Sequence, residues 1–299
     1  MTTDLAETIL IGIACAVVAS AFFATGVLLQ HRVVSAMTPA GELGRSALRK
    51  MVRSPGWLAG VGSGVLGGCL HVVALSFAPV AIVEPVGVLG LVSIVVVGAR
   101  LRREHVDVGT RRAVLAVCAG VGGFVVVAAG AISSQPVAQT GQVQFVVACA
   151  AVVGFVGWQQ RSCLATSAAA AVVSGFGSTV VRAASQHWQE GGAVAVDLGL
   201  SVEAAALLLT GGWLMQRAYA RGTAALVVGT TTVLGPITSV LVGLTLYGEA
   251  TGLTGEDIAG MTLLALLAIA GVRVLAQSMH PTEPVVAVVP PVEQHAHAA

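Results

Sequence analysis

One carboxylate, Glu84, stands beside a helix breaker, Pro85, inside an apolar run that starts near Ala74 and ends at Arg100, Arg102 and Arg103. An ionised side chain at the centre of a membrane helix costs about 2.5–3.5 kcal/mol. The eleven Val, Ile and Leu residues from Ile82 to Val97 return roughly 3–7 kcal/mol. Insertion is narrowly favourable, so Glu84 is expected to face other helices. A charge in this setting marks an ion, proton or ligand path.

Three more ionisable side chains are expected at similar depth. At 1.5 Å per residue, Glu84 lies about 8 Å, His71 about 10 Å and Glu203 about 9 Å below the outer ends of their helices. Arg182 is expected to close the outer end of its own helix. Two chemistries fit. Glu84 and Arg182 form a structural ion pair, or Glu84 and Glu203 are gated carboxylates for a proton or a cation. In the second case the two carboxylates are the metal ligands and Arg182 is a resting counter-ion. His71 reads as a histidine bonded to a carbonyl, and Glu203 as a side chain able to snorkel outward. Pro85 frees a carbonyl one turn earlier, and Gly87 and Gly90 let the helix bend. Thr230, Thr231 and Thr232 offer hydroxyls to a ligand, although bonding back to the helix is the commoner fate of such threonines.

The elements that must position these residues are membrane helices. Of the 299 residues 56% are hydrophobic and 10% charged, against roughly 25% charged in a soluble domain. The expected fold is all-α and integral to a membrane, with nine crossings and ten as the alternative count. The spans are read at 8–30, 56–78, 80–99, 113–132, 143–160, 164–183, 197–216, 223–246 and 257–276. The N-terminus lacks the basic region of a secretory signal. The end, 279–299, reads as a disordered cytoplasmic tail; His295 and His297 in it are read as part of a flexible end. The five cysteines show no Cys-x-x-Cys pair and read as small buried hydrophobes.

With nine crossings, every Lys and Arg except Arg182 falls on one side. The positive-inside bias then sets the N-terminus outside and the C-terminus in the cytoplasm of a plasma membrane. Gly56, Gly60, Gly64 and Gly68 form a stripe on the second helix where another backbone can approach. Ala218–Gly229 echoes Ala74–Pro85, and each copy runs on to a glutamate, Glu249 and Glu104. The two copies start on opposite sides. Repeat one is read at about 1–132 and repeat two at about 143–278, which predicts an inverted-repeat transporter.

Four stretches in order, Ala19–Gly26, Ala74–Gly90, Ser174–Ala183 and Ala218–Pro236, resemble the NIPA-like branch of the drug/metabolite transporter (EamA-like) superfamily, regarded as magnesium transporters in eukaryotes. The resemblance covers most of the chain short of the tail. It departs at Glu84, where the family commonly has Thr before the proline, and at Gly229, where a proline is expected and appears later as Pro236. The basic position is kept as Arg182. The resemblance implies alternating access and magnesium as cargo.

Three functions are therefore carried forward. The first is a secondary transporter of magnesium or another small cation. The second is a proton-coupled exporter of a small metabolite, drug or lipid headgroup. The third is a membrane scaffold with the glycine stripe as its docking face. Partners are the bilayer, a small ion or molecule and, as an assembly, a homodimer. Nucleic acid has no basic face to bind. No Ser-His-Asp pattern, phosphate loop or metal-spaced cluster points to an enzyme, and no cofactor is implied.

Overall fold

A computed structural model describes residues 2–37, 49–101, 105–131, 138–191 and 193–278. Glu104, Arg102, Arg103, Arg45 and the tail with His295 and His297 lie outside them. Among the described residues all regular structure is helical: α1 Thr2–Met37, α2 Pro55–Phe77, α3 Val80–Gly87, α4 Leu89–Leu101, α5 Val108–Ala131, α6 Thr140–Gln159, α7 Cys163–Glu190, α8 Val194–Tyr219, α9 Ala224–Thr245 and α10 Gly255–Ser278, with a 3₁₀ turn at Glu249–Gly252. Among the described residues eight helices are long and apolar enough to cross a membrane, and Val80–Val96 is a shorter apolar stretch. Their outward side chains are apolar, Leu209 being 75% exposed and Val126 72%. Such a surface needs lipid as its solvent. The chain is an all-α membrane protein.

The third expected span is two helices rather than one. Pro85 has no N–H for the carbonyl of Ala81, and the chain pauses at Val88, whose N–H turns back to Pro85 O at 3.1 Å. The expected hairpin at Pro79 is present. Ala78 is extended, and its N–H closes α2 on Ala74 O at 2.9 Å. Helix α7 runs eight residues past Arg182 and stops at Gly191, which takes the left-handed φ of 70°. Arg182 is therefore inside the bundle, 3% exposed, rather than at a helix end.

Glycine brings the helices together, but on a face shifted from the expected stripe. A Cβ on Gly26 of α1 would sit 2.9 Å from Gly60 O, and one on Gly67 would sit 3.1 Å from Ala19 O. Gly60 and Gly67 therefore face α1, whereas a Cβ on Gly68 would meet nothing within 4 Å. The helical repeat of 3.6 moves the seam from position 68 to 67. It is used within the chain, as close packing and not as an open docking face. The same device joins α5 to α10, where a Cβ on Gly120 would lie 2.6 Å from Leu264 O. The five cysteines are free. Cys69 and Cys118 are exposed, so these two are not the buried hydrophobes expected.

Candidate functional site

Glu84 is 8% exposed on α3. Its Oε1 lies 3.1 Å from Nε2 of His71 on α2. The turn at Ala78–Pro79 folds α3 back beside α2, so residues thirteen apart in sequence meet. The ring of Phe23 on α1 stands edge-on to the imidazole, centroids 6.1 Å apart. Neither expected pairing holds: Glu84 has His71 rather than Arg182, and His71 has a carboxylate rather than a carbonyl. The reason is depth. Arg182 is drawn to the open carbonyls at the end of α2, where it donates to Leu75 O.

Glu203 does not join Glu84. Its two carboxylate oxygens each accept from Gln144 Nε2 on α6, at 3.0 Å. The side chain faces the outer α6–α8 seam, half-exposed. Among the described residues no group of three or more His, Cys, Asp or Glu is placed to hold a metal ion. The two-carboxylate metal pair is not formed. Thr230 and Thr231 bond back to their helix, donating to Leu226 O at 2.7 Å and Val227 O at 3.0 Å.

A second cluster lies at the end of the bundle marked by Pro79, and its central residue is Glu249. Its carboxylate accepts from the N–H groups of Val80 and Ala81, both at 3.2 Å. An anion at a helix N-terminus meets unpaired amides and the positive end of the dipole. Arg182 supplies the opposite charge to the last turn of α2, through Leu75 O. Burial holds the Glu249 carboxyl above its ordinary range, against the two amides and Arg182, which pull it down. Burial also pushes the phenol of neighbouring Tyr247 up to about 12. Gln142 donates to Leu246 O at 2.6 Å and Gln189 to Ser76 O at 3.0 Å, which pin the same turns.

In the sequence Glu249 stands out only as the echo of Glu104. The signal for a site was a glutamate in a loop free of Lys and Arg. Its partners, 168 and 169 residues away, carry no pattern in the sequence. The arrangement sets a buried carboxylate against an imidazole, and Glu249 with Arg182 clamps the turn that carries Glu84. No protein-family model, curated protein or solved structure matches the chain.

Proposed function

We propose that the chain is a proton-linked secondary transporter in which two oppositely oriented halves alternate access to a site between them. One observation carries this reading: the helices pack in mirrored pairs. Helix α1 packs on α2 as α7 packs on α8, and α1 lies against α3 and α4 as α7 lies against α9. A Cβ on Gly90 of α4 would come 3.2 Å from Ser20 O of α1, and one on Gly175 of α7 would come 2.7 Å from Gly235 O of α9, so a glycine closes the corresponding seam in each half, though from opposite helices of the pair. Helices α3 and α9 pack on each other, as do α5 and α10, which are the contacts expected along a pseudo-two-fold axis. Taking α3 and α4 as one crossing makes nine, with α6 between two sets of four. A single crossing between the sets inverts the second.

Glu84 with His71 supports a proton as the coupling ion. A buried carboxylate hydrogen-bonded to an imidazole inside the helix bundle offers a proton two acceptor atoms, and an ionisable residue at such a depth marks a path for ions or protons. Magnesium, implied by the resemblance, needs several hard oxygen ligands and keeps waters. One carboxylate beside an imidazole suits it poorly. A plasma-membrane setting with the basic end in the cytoplasm follows from the charge bias.

The test is flux in proteoliposomes, with Mg²⁺ and a panel of small metabolites, with and without a pH gradient. Expected is pH-driven flux that Glu84→Gln abolishes while the variant stays folded. Magnesium flux that ignores the pH gradient would replace the proton by a caged cation. A protein that moves nothing and co-purifies with one fixed partner would make it a scaffold.

A further inference from the structure

The seam between α9 and α10 is open. At the end where α9 begins and α10 finishes, a cleft of about 410 Å³ is lined mostly by apolar residues, Leu226 and Ala276 among them, together with Thr223, Thr230, Arg273 and Gln277. Deeper in the membrane lies a second space, about 100 Å³, whose walls are almost wholly apolar and include the helix-interior prolines Pro85 of α3 and Pro236 of α9. Val233, Ile269 and Val272 line both spaces. The two share these walls and make one largely apolar groove, whose mouth carries Thr223, Arg273 and Gln277. An engineered apolar cavity of about 150 Å³ takes up benzene, so the inner space is of a size for a few methylenes.

The charge at the mouth is one-sided. Arg273 is exposed, and none of the described carboxylates pairs with it. The start of α5 lies beside the end of α10, since a Cβ on Gly271 would meet Ala113 O at 2.8 Å. This brings the exposed Arg111 and Arg112 to the same end. The one described carboxylate in the loop leading into α5, Asp107, is bound to Thr110. A basic mouth at the membrane surface above an apolar slot is complementary to an anionic headgroup with its chain.

We propose that this groove binds one anionic phospholipid of the surrounding bilayer. The phosphate sits against Arg273 and the Thr223 hydroxyl. One acyl chain runs past Val233, Ile269 and Val272 and ends in the space between Pro85 and Pro236. The bound chain fills the room beside Pro85 and Pro236, where each helix lacks one backbone hydrogen bond, so the lipid props α9 against α10. This does not depend on what the protein transports, and its test involves no flux.

The test uses the full chain in detergent, with phosphatidylglycerol, phosphatidylcholine of the same acyl chains, and inorganic phosphate. Retained lipid is counted by native mass spectrometry, and thermal unfolding is followed in parallel. Expected is one retained phosphatidylglycerol that raises Tm. Phosphatidylcholine binds about five-fold more weakly, the worth of one basic residue at the surface, and inorganic phosphate has no effect. Arg273→Gln, a change at an exposed position, should bring phosphatidylglycerol down to the phosphatidylcholine level. Ile269→Trp should fill the groove and weaken both lipids alike. Equal binding of the two lipids by the unaltered chain, or an unchanged ratio in Arg273→Gln, overturns the proposal. Stabilisation by inorganic phosphate alone would also overturn it, because the acyl chain would then play no part.

Discussion

Arg182 holds a carbonyl in the last turn of α2 while Glu249 holds the first amides of α3, so the two side chains grip one turn from its two sides. Each helix end receives the charge its dipole favours, a cation at the C-terminus and an anion at the N-terminus. Both side chains are buried, 3% and 4% exposed. The turn they grip carries His71 on one arm and Glu84 on the other. Rigidity at Pro79 is therefore what fixes the geometry of the candidate proton site.

Coupling between Arg182 and Glu249 should show in a double-mutant cycle. Arg182→Met leaves a buried carboxyl without its counter-charge and is expected to cost about 3–5 kcal/mol. Glu249→Gln keeps one acceptor for the amides and should cost about 1–2 kcal/mol. The double variant should cost less than the sum by at least about 1 kcal/mol. Denaturant unfolding in mixed micelles measures all three. Additive costs would mean that the two charges act on the turn independently.

The His71–Glu84 contact should contribute little to stability and much to transport. Hydrogen bonds between membrane helices average about 0.6 kcal/mol, so His71→Ala should destabilise by about 1 kcal/mol or less. Glu84→Gln keeps a partner for the imidazole and should unfold within about 1 kcal/mol of the unaltered chain, yet lose pH-driven flux in proteoliposomes. Flux that survives Glu84→Gln would remove the pair from the mechanism and leave it a packing contact.

The glycine seam gives a contrast between two identical substitutions. Gly26→Ala puts a methyl 2.9 Å from Gly60 O, and a backbone cannot step aside as a side chain can. It should cost about 1–3 kcal/mol. Gly68→Ala meets nothing within 4 Å and should be neutral or stabilising by up to about 1 kcal/mol, the difference in helix propensity. Paired Tm measurements decide it. Equal losses would place Gly68 in a seam the bundle does not have.

These contrasts mark what the sequence could convey. The helices were legible because lipid demands long apolar runs, and Pro79 was legible as a turn because a proline between two such runs has one reading. The break at Val88 was half legible: Pro85 announced it, but length made α3 and α4 look like one span. Depth along a helix was legible for Glu84, while azimuth was not. Rotation about the helix axis decides whether a carboxylate at that depth meets His71 or Glu203, and only packing sets it. Glu203 shows this well, at the expected level but turned towards Gln144. The position of Arg182 along its axis was not legible because Ala183 to Glu190, mostly small or polar with Trp188 alone strongly apolar, carry α7 onward without an apolar run. Glu249 was invisible as a site because the amides it binds belong to the backbone of Val80 and Ala81, which no residue type announces.

Glu249 also predicts a pH dependence with a definite sign. Burial raises its carboxyl above the ordinary 4.5, outweighing the amides of Ala81 and Val80 and the charge of Arg182. The folded chain therefore binds a proton that the unfolded chain has already released as pH rises through the interval above 4.5. Stability must fall with rising pH across that interval, since its slope follows the excess of protons on the unfolded state, here negative. Asp107 acts in the opposite sense and elsewhere. The Thr110 hydroxyl and amide lower its carboxyl below 3.8, so the stability it lends is present above that value and lost only on further acidification. Unfolding followed in detergent from pH 4 to 8 should show a decline that Glu249→Gln removes and that Asp107→Asn leaves in place. A decline that persists in Glu249→Gln would assign it to another group and make the Glu249 carboxylate ionised throughout, held by Val80 and Ala81 more strongly than burial opposes it.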